Sequence, residues 1–164
     1  MSDEVARLHE LTVALRAPQS LEEVLQTLVD QTSHLLNVVR VAAYLFNADH
    51  TRLTATARAG LPIHTAPIEF RIGEGLLGWI AERQVGLRTG DAEADPRFLA
   101  RPGQTVKIGS FVGVPILGST TVLGVLSATN PDPHAFGPRD QQLLEIAAAL
   151  AAPAIEATTR ARSG

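Results

Sequence analysis

The sequence predicts an α+β domain in which helices lie at the edges and ends of an antiparallel sheet. Three observations support this class. Both ends of the chain carry apolar residues at helical spacing, the middle contains two hairpin patterns, and only a short helical segment lies between them. A chain of 164 residues suits one domain, which buries roughly 70% of the surface of its unfolded form. We therefore expect residues 1–164 to form a single domain.

Two helices are predicted at the amino-terminal end. Residues 3–16 place apolar side chains at helical spacing, and Pro18 ends the pattern. Ser20 followed by Glu23 is a capping box, in which each side chain bonds to the backbone N–H of the other residue. A wide apolar stripe follows, formed by Leu21, Val24, Leu25, Leu28, Val29, Leu35 and Leu36.

The first hairpin is predicted from residues 38–46, which are rich in β-branched and aromatic side chains. Turn residues 47–50 follow, and from 53 to 59 apolar residues alternate with Thr and Arg. A third short strand over 68–72 leads into glycines at 73, 75 and 78 and a short helix that ends at Arg83. Residues 85–89 fit a brief strand.

The second half of the chain begins with a polar loop over 91–102 that contains one helical turn. A second hairpin over 110–117 and 121–129 turns at Gly118 and Ser119, and Pro138 then opens a helix to about residue 162. The long helix carries a broad stripe of small apolar residues, which predicts packing against two partners. Pro153 lies inside this helix and predicts a bend over 149–153.

Composition excludes several classes of function. The net charge is −3 and the 14 basic residues are scattered, which disfavours nucleic acid as a partner. The absence of cysteine excludes disulfides, thiolate metal sites, a thiol nucleophile and a thioether-linked chromophore. The longest apolar run, 147–155, is far below the ~20 residues that span a bilayer. Because no signal peptide is evident, we expect a cytoplasmic protein without a membrane partner.

Candidate motifs for chemistry are weak. Gly73, Gly75 and Gly78 match the dinucleotide fingerprint, but the helix that follows is too short for a crossover to a parallel strand. Acids at 91, 93 and 95 alternate as in a calcium loop, yet Pro96 stands where that loop needs glycine. We expect Asp95 to cap a helical turn and Phe98 to point inward. The five scattered histidines do not form a metal pattern, which disfavours haem and leaves the cofactor, if any, unidentified.

Five stretches in order resemble the GAF domain family, a regulatory module of bacterial sensor kinases, transcription activators, phosphodiesterases and phytochromes. They are residues 72–80 (IGEGLLGWI), 91–98 (DAEADPRF), 110–116 (SFVGVPI), 123–126 (LGVL) and 136–140 (FGPRD) followed by Leu143 and Leu144. The resemblance covers about 21–156. It implies a sheet of five or six strands, with the terminal helices on one face and a ligand pocket on the other.

By the same resemblance, residues 70–83 and 91–98 roof the pocket and the strands holding Tyr44 and Ser110 form its floor. The lining residues that it implies are Tyr44, Phe70, Trp79, Asp91, Phe98 and Ser110. Pro131 and Gln141 stand where cyclic-nucleotide-binding members have Lys and Glu, which disfavours that ligand. Bilin-carrying and methionine sulfoxide reductase members use cysteine, which this chain lacks.

The resemblance also implies a homodimer through helices 1–17 and 138–162, which would pass ligand state to an output domain such as a histidine kinase in a two-component system. On this view the domain itself is not an enzyme. Two alternatives remain: a dimerisation scaffold whose pocket is filled by its own side chains, and an enzyme that holds a nucleotide cofactor at the 73–78 turn.

Overall fold

The computed structural model describes residues 3–17, 19–60, 69–99 and 108–163, with side chains up to residue 160. The helices are α1 (Asp3–Arg16), α2 (Leu21–Leu36), α3 (Gly75–Arg83) and α4 (Pro138–Ser163), and the strands are β1 (Arg40–Phe46), β2 (Arg52–Ala59), β3 (Glu69–Arg71), β4 (Leu87–Thr89), β5 (Ser110–Leu117) and β6 (Val122–Asn130). Neighbouring strands all pair antiparallel, in the order β3-β2-β1-β6-β5-β4. The predicted α+β class and the antiparallel sheet are confirmed.

Helices α2 and α4 cover one face of the sheet, and α1 packs on both of them; the three helices form what we call the helix layer. The predicted capping box is present: Glu23 N donates to Ser20 Oγ at 3.2 Å, and Ser20 N donates to Glu23 Oε1 at 3.0 Å. Asn37 ends α2 in the left-handed conformation, with φ 53°. The apolar stripe of α2 is buried against β1 and β2, and α4 packs on both β5 and α2. The prediction that α4 has two packing partners is therefore confirmed.

The opposite face, which we call the α3 face, carries α3 and a second buried cluster. Alternation along β1 separates the two layers, because Val41 and Ala43 pack in the helix layer whereas Ala42 and Tyr44 pack on the α3 face. In β2 this alternation is broken by a bulge between Ala43 and Tyr44 of its partner strand.

Several predicted boundaries differ from the structure by one or two residues. The third strand begins at Glu69, and its predicted start at residue 68 lies outside the described residues, as do residues 100–102 of the predicted loop. The brief strand is limited to Leu87–Thr89. Helix α4 continues through Pro153, and the bend over 149–153 stays a prediction. Within the described residues, all helices are too short or too polar to cross a membrane.

Candidate ligand site on the α3 face

Four of the six predicted lining residues come together on the α3 face. Tyr44, Phe70, Trp79 and Phe98 all belong to one apolar cluster, with Tyr44 buried and the other three packed at its edge. The rings of Tyr44 and Phe70 meet edge to face, with centroids 6.3 Å apart. Phe98 packs inward as predicted. Parts of the two segments expected as a roof, 70–83 and 91–98, therefore pack with Tyr44 of the expected floor on this side of the sheet.

The glycine segment fixes how α3 enters this layer. Gly73 and Gly75 adopt positive φ angles of 80° and 70°, and the Gly73 N–H donates to the Gly78 carbonyl at 2.8 Å. A Cβ on Gly78 would overlap the carbonyl oxygen of Arg71. The glycines thus serve a tight turn and close packing. Helix α3 is followed by β4, which pairs antiparallel with β5, and among the described strands none makes the parallel crossover that a dinucleotide fold requires.

The 91–99 segment is fastened to α3 through Trp79. Arg97 lies over the indole ring of Trp79 at 4.6 Å from its centroid. Asp95 orients that guanidinium, because it accepts from Arg97 Nε at 2.9 Å and from Arg97 Nη2 at 2.7 Å. These hydrogen bonds outweigh desolvation and hold the pKa of Asp95 below its ordinary value. Asp95 also accepts from the Arg97 backbone N–H at 2.9 Å, so it caps the helical turn as predicted.

Tyr44 is the buried polar residue of the site, with 9% of its surface exposed. Burial raises the pKa of its phenol to about 12, although the charge of Arg58 and a hydrogen bond with the Ser127 side chain act in the opposite direction. The phenol is therefore neutral at physiological pH and retains its O–H as a donor. Ser127, 4% exposed, places a second hydroxyl in this layer.

The structure does not bring Asp91 and Ser110 to the other four residues. Asp91 is exposed, and its Oδ1 accepts from Ala94 N at 3.3 Å in the loop. Ser110 is fully buried, but its hydroxyl donates to the Asp132 carbonyl at 2.8 Å and accepts from Ala135 N at 3.3 Å. Its neighbour Phe111 packs on the α3 face, so Ser110 points toward the helix layer and the segment before α4.

The acidic loop uses its carboxylates internally. Asp95 is occupied by Arg97, and Glu93 Oε2 accepts from Ile108 N at 3.1 Å. Among the residues that the structure describes, acidic and histidine side chains do not form a group able to hold a metal ion. The described geometry therefore favours loop anchoring over calcium binding.

Sequence reasoning missed three polar residues on the α3 face, namely Arg40, Arg58 and Ser127. Arg58 influences the ionisation of Tyr44, and Ser127 bonds to it. Alternation in β1 and β6 could have placed Arg40 and Ser127, because each is next to a residue of the helix layer. Arg58 could not be placed this way, since the bulge in the β1–β2 pair shifts its register.

The six-stranded antiparallel sheet, with terminal helices on one face and a glycine-started helix on the other, is the architecture of GAF domains. It superimposes with a TM-score of 0.86 on the GAF domain of Acinetobacter phosphoenolpyruvate-protein phosphotransferase, at 22% identity and with 100% of this chain and 99% of that chain covered. The free methionine-R-sulfoxide reductase of Neisseria meningitidis, determined in complex with its substrate, gives 0.82 at 19% identity, with 98% and 95% covered.

Residues 18–156 match the sequence profile of the GAF domain family, and the chain belongs to that family. Over 128 residues it is 28% identical to the Nif-specific regulatory protein of Azospirillum lipoferum, which covers 76% of this chain and 20% of that protein. The Nif-specific regulatory protein of Herbaspirillum seropedicae is 30% identical over 128 residues, with 75% and 23% covered. The chain thus spans about a fifth of the length of these curated relatives, and it is a GAF domain related to regulatory proteins.

Proposed function

We propose that this domain is a sensor that binds a small molecule on the α3 face and passes its occupancy through α4 to an output domain. The observation that carries the proposal is the pair of buried hydroxyls of Tyr44 and Ser127 beside a cluster of buried apolar residues. Ligand sites combine apolar walls with a few polar groups that fix orientation. The aromatic residues Phe70, Trp79 and Phe98 provide such walls at the edge of the same cluster.

A hydrogen-bonded route leads from this layer to α4. The Ala92 N–H donates to the Gly109 carbonyl at 2.7 Å, and the His134 N–H donates to the Gly90 carbonyl at 2.9 Å. Ser110 then joins the start of β5 to the segment that precedes α4. A displacement of the 91–99 loop by a ligand would therefore strain contacts at the beginning of α4. This assigns Ser110 to signal transmission and leaves Asp91 outside the binding set.

The terminal helices are joined so that they can move together. The Arg139 guanidinium donates through Nε to both carboxylate oxygens of Glu4, at 2.9 and 2.7 Å, and its Nη2 also bonds to Glu4. This pair ties the start of α1 to the start of α4. Exposed apolar side chains on both helices, Val5, Val13 and Ile146, offer a surface for a homodimer. The output is then either a kinase, as the resemblance implies, or the remainder of a longer regulatory protein, since the matched region is about a fifth of the Nif-specific regulatory proteins.

Hydrogen exchange tests this function directly. Protein as purified would be compared with protein that has been unfolded, dialysed and refolded to remove any retained molecule. We expect slower exchange in the purified sample at α3 and the 91–99 loop, and also at residues 132–140. In Ser110→Ala, the slower exchange at α3 and the 91–99 loop should persist, whereas the slower exchange at residues 132–140 should be lost. Identical exchange in both samples, together with no released small molecule, would contradict the sensor proposal.

A ligand-free dimerisation scaffold is the second candidate, because Trp79 and Phe98 themselves pack into the α3-face cluster. An enzyme that uses a nucleotide at the 73–78 turn is less well supported, because the Gly73 N–H already donates to the Gly78 carbonyl and Gly78 packs closely against the Arg71 carbonyl. Cysteine chemistry such as that expected for reductases of this fold is excluded, since the chain has no cysteine.

A further inference from the structure

Two arginines lie near each other on the α3 face, where β1 begins and β2 ends. Arg40 precedes Val41, and Arg58 lies between Ala57 and Ala59, all of which pack in the helix layer. Because successive side chains of a strand point to opposite faces, both arginines point to the α3 face. Both are partly buried. Such guanidinium groups are found where an anion can accept their hydrogen bonds.

Strand pairing sets the distance between the two arginines. Arg58 is opposite Ala42 of β1, two residues beyond Arg40 in the same strand. The two arginines are therefore diagonal neighbours across an antiparallel pair, a relation that separates their backbones by about 7–8 Å and brings long side chains within reach of each other. One bound oxyanion can accept from both guanidinium forks at this spacing.

The buried hydroxyl pair adjoins the arginines. Ala42 pairs with Ser127 of β6 on its other side, so Arg58, Ala42 and Ser127 lie in one row across the sheet. Tyr44 lies one step further along β1, and its hydroxyl is close enough to Arg58 for the guanidinium charge to lower its pKa against the effect of burial. The two hydroxyls carry two O–H protons, and their mutual hydrogen bond uses one. A ligand acceptor next to the pair would compete for the remaining O–H.

We propose that Arg40, Arg58, Tyr44 and Ser127 bind the acidic group of a small organic anion, a carboxylate or a phosphate ester, whose apolar part contacts Phe70 and Trp79. The inference rests on the proposed sensor function and specifies the class of ligand. Both arginines already have polar or electrostatic contacts within the chain. The anion would add to these contacts or replace them, which gives a physical means by which binding rearranges the site.

The test uses Trp79 as a reporter, because it is the single tryptophan of the chain. Its fluorescence would be followed during titration with matched pairs of probes: succinate against succinamide, benzoate against benzamide, and phenyl phosphate against phenol. We expect saturable binding of at least one anion and at least tenfold weaker binding of its neutral partner, since charge-assisted hydrogen bonds are lost. Comparison of succinate and benzoate with phenyl phosphate shows whether the site prefers a carboxylate or a phosphate ester.

Variants locate the site. Arg58→Gln should lower the affinity for the anion that binds by about tenfold or more. Arg58→Lys should retain part of the affinity because it keeps the charge. Arg52→Gln is the matched control. Arg52 lies in the same strand, but it is exposed and pairs with Glu69 at 3.3 Å, so its loss should leave the affinity unchanged. Circular dichroism would verify that each variant is folded.

The outcomes separate this inference from the function on which it rests. Any of three results would overturn the anion site. The anions and their neutral partners would bind with equal affinity, Arg52→Gln and Arg58→Gln would weaken binding equally, or none of the three anions would give saturable binding. If a neutral molecule is found bound on the α3 face, the anion site fails and the sensor function stands. If the purified protein retains no small molecule and the anions also fail to bind, both proposals fail.

Discussion

At the scale of single residues, Ser110 shows how a buried hydroxyl can connect two parts of the chain. It contacts the segment before α4 through a donated and an accepted hydrogen bond. Ser110→Ala should lower the free energy of unfolding by about 1–3 kcal/mol, because the buried partners lose their bonds. Urea denaturation would measure this change. The control is Ser119→Ala, whose hydroxyl bonds to Glu156 at the exposed surface and whose loss should cost less than about 0.5 kcal/mol. Equal costs would contradict the assignment.

The Asp95 carboxylate predicts a pH dependence at the same scale. Its pKa is lowered in the folded state, chiefly by the hydrogen bonds from Arg97. Its contribution to stability is therefore complete above the ordinary carboxyl pKa of about 4, and it is lost as the pH falls through the lowered folded value. Asp95→Asn should be less stable than the parent at pH 7, and the difference should shrink as the solution is acidified toward pH 3. A difference that is constant with pH would show that the ion pair contributes no stability.

The sequence located Tyr44, Phe70, Trp79 and Phe98 because they belong to motifs or strands whose faces follow from periodicity and resemblance. It could not locate Arg58, since nothing in the residues signals the bulge between Ala43 and Tyr44. In unbroken alternation Arg58 would face away from Leu53 and Ala55, but the bulge places all three on the α3 face. The resemblance also predicts Ser110 in the pocket, but alternation in β5, with Phe111 on the α3 face, points Ser110 the other way.

At the scale of elements, the entry to α3 depends on glycine. Gly78→Ala would force a methyl group into the Arg71 carbonyl, and the β3 to α3 turn would have to open. We expect a loss of at least about 2 kcal/mol in unfolding free energy, as for other substitutions that overpack the interior. Gly137→Ala is the control, because a Cβ there approaches its nearest atom, Asp140 Oδ2, at only 4.0 Å. Thermal denaturation of both variants would measure the loss of stability of each. A Gly78→Ala variant as stable as Gly137→Ala would contradict tight packing at Gly78.

Most helices and strands were predictable because their signals are local. The capping box of α2, the turn residues of both hairpins and the Pro138 start of α4 all act within a few residues. The order of strands in the sheet is not local, and neither periodicity nor the resemblance predicted it: the resemblance implied the number of strands and the face on which the helices lie, and the structure supplies the order. The predicted bounds of the short edge strands β3 and β4 agree least with the structure, since strands of three residues carry little sequence pattern.

At the scale of the whole molecule, we expect a dimer whose interface is formed by α1 and α4. Val13 and Ile146 expose 48% and 43% of their surfaces on these helices. Burying a side chain of this size contributes about 1.5–3 kcal/mol. Val13→Glu or Ile146→Glu should therefore raise the dimer dissociation constant at least tenfold in sedimentation equilibrium. Val39→Glu, at an exposed valine outside both helices, should leave it unchanged. A parent protein that is monomeric at all concentrations would contradict the helix interface.

Native mass spectrometry of the purified protein examines dimerisation and ligand binding together, because one spectrum reports the number of subunits and any retained small molecule. We expect a dimer that carries an additional mass. Denaturation should release this mass as a small molecule that is detected in negative-ion mode, as an acidic compound would be. A bare dimer that regains no mass when incubated with a cell extract of small molecules would contradict the sensor and favour the scaffold. A bare monomer would contradict both the sensor and its helix interface.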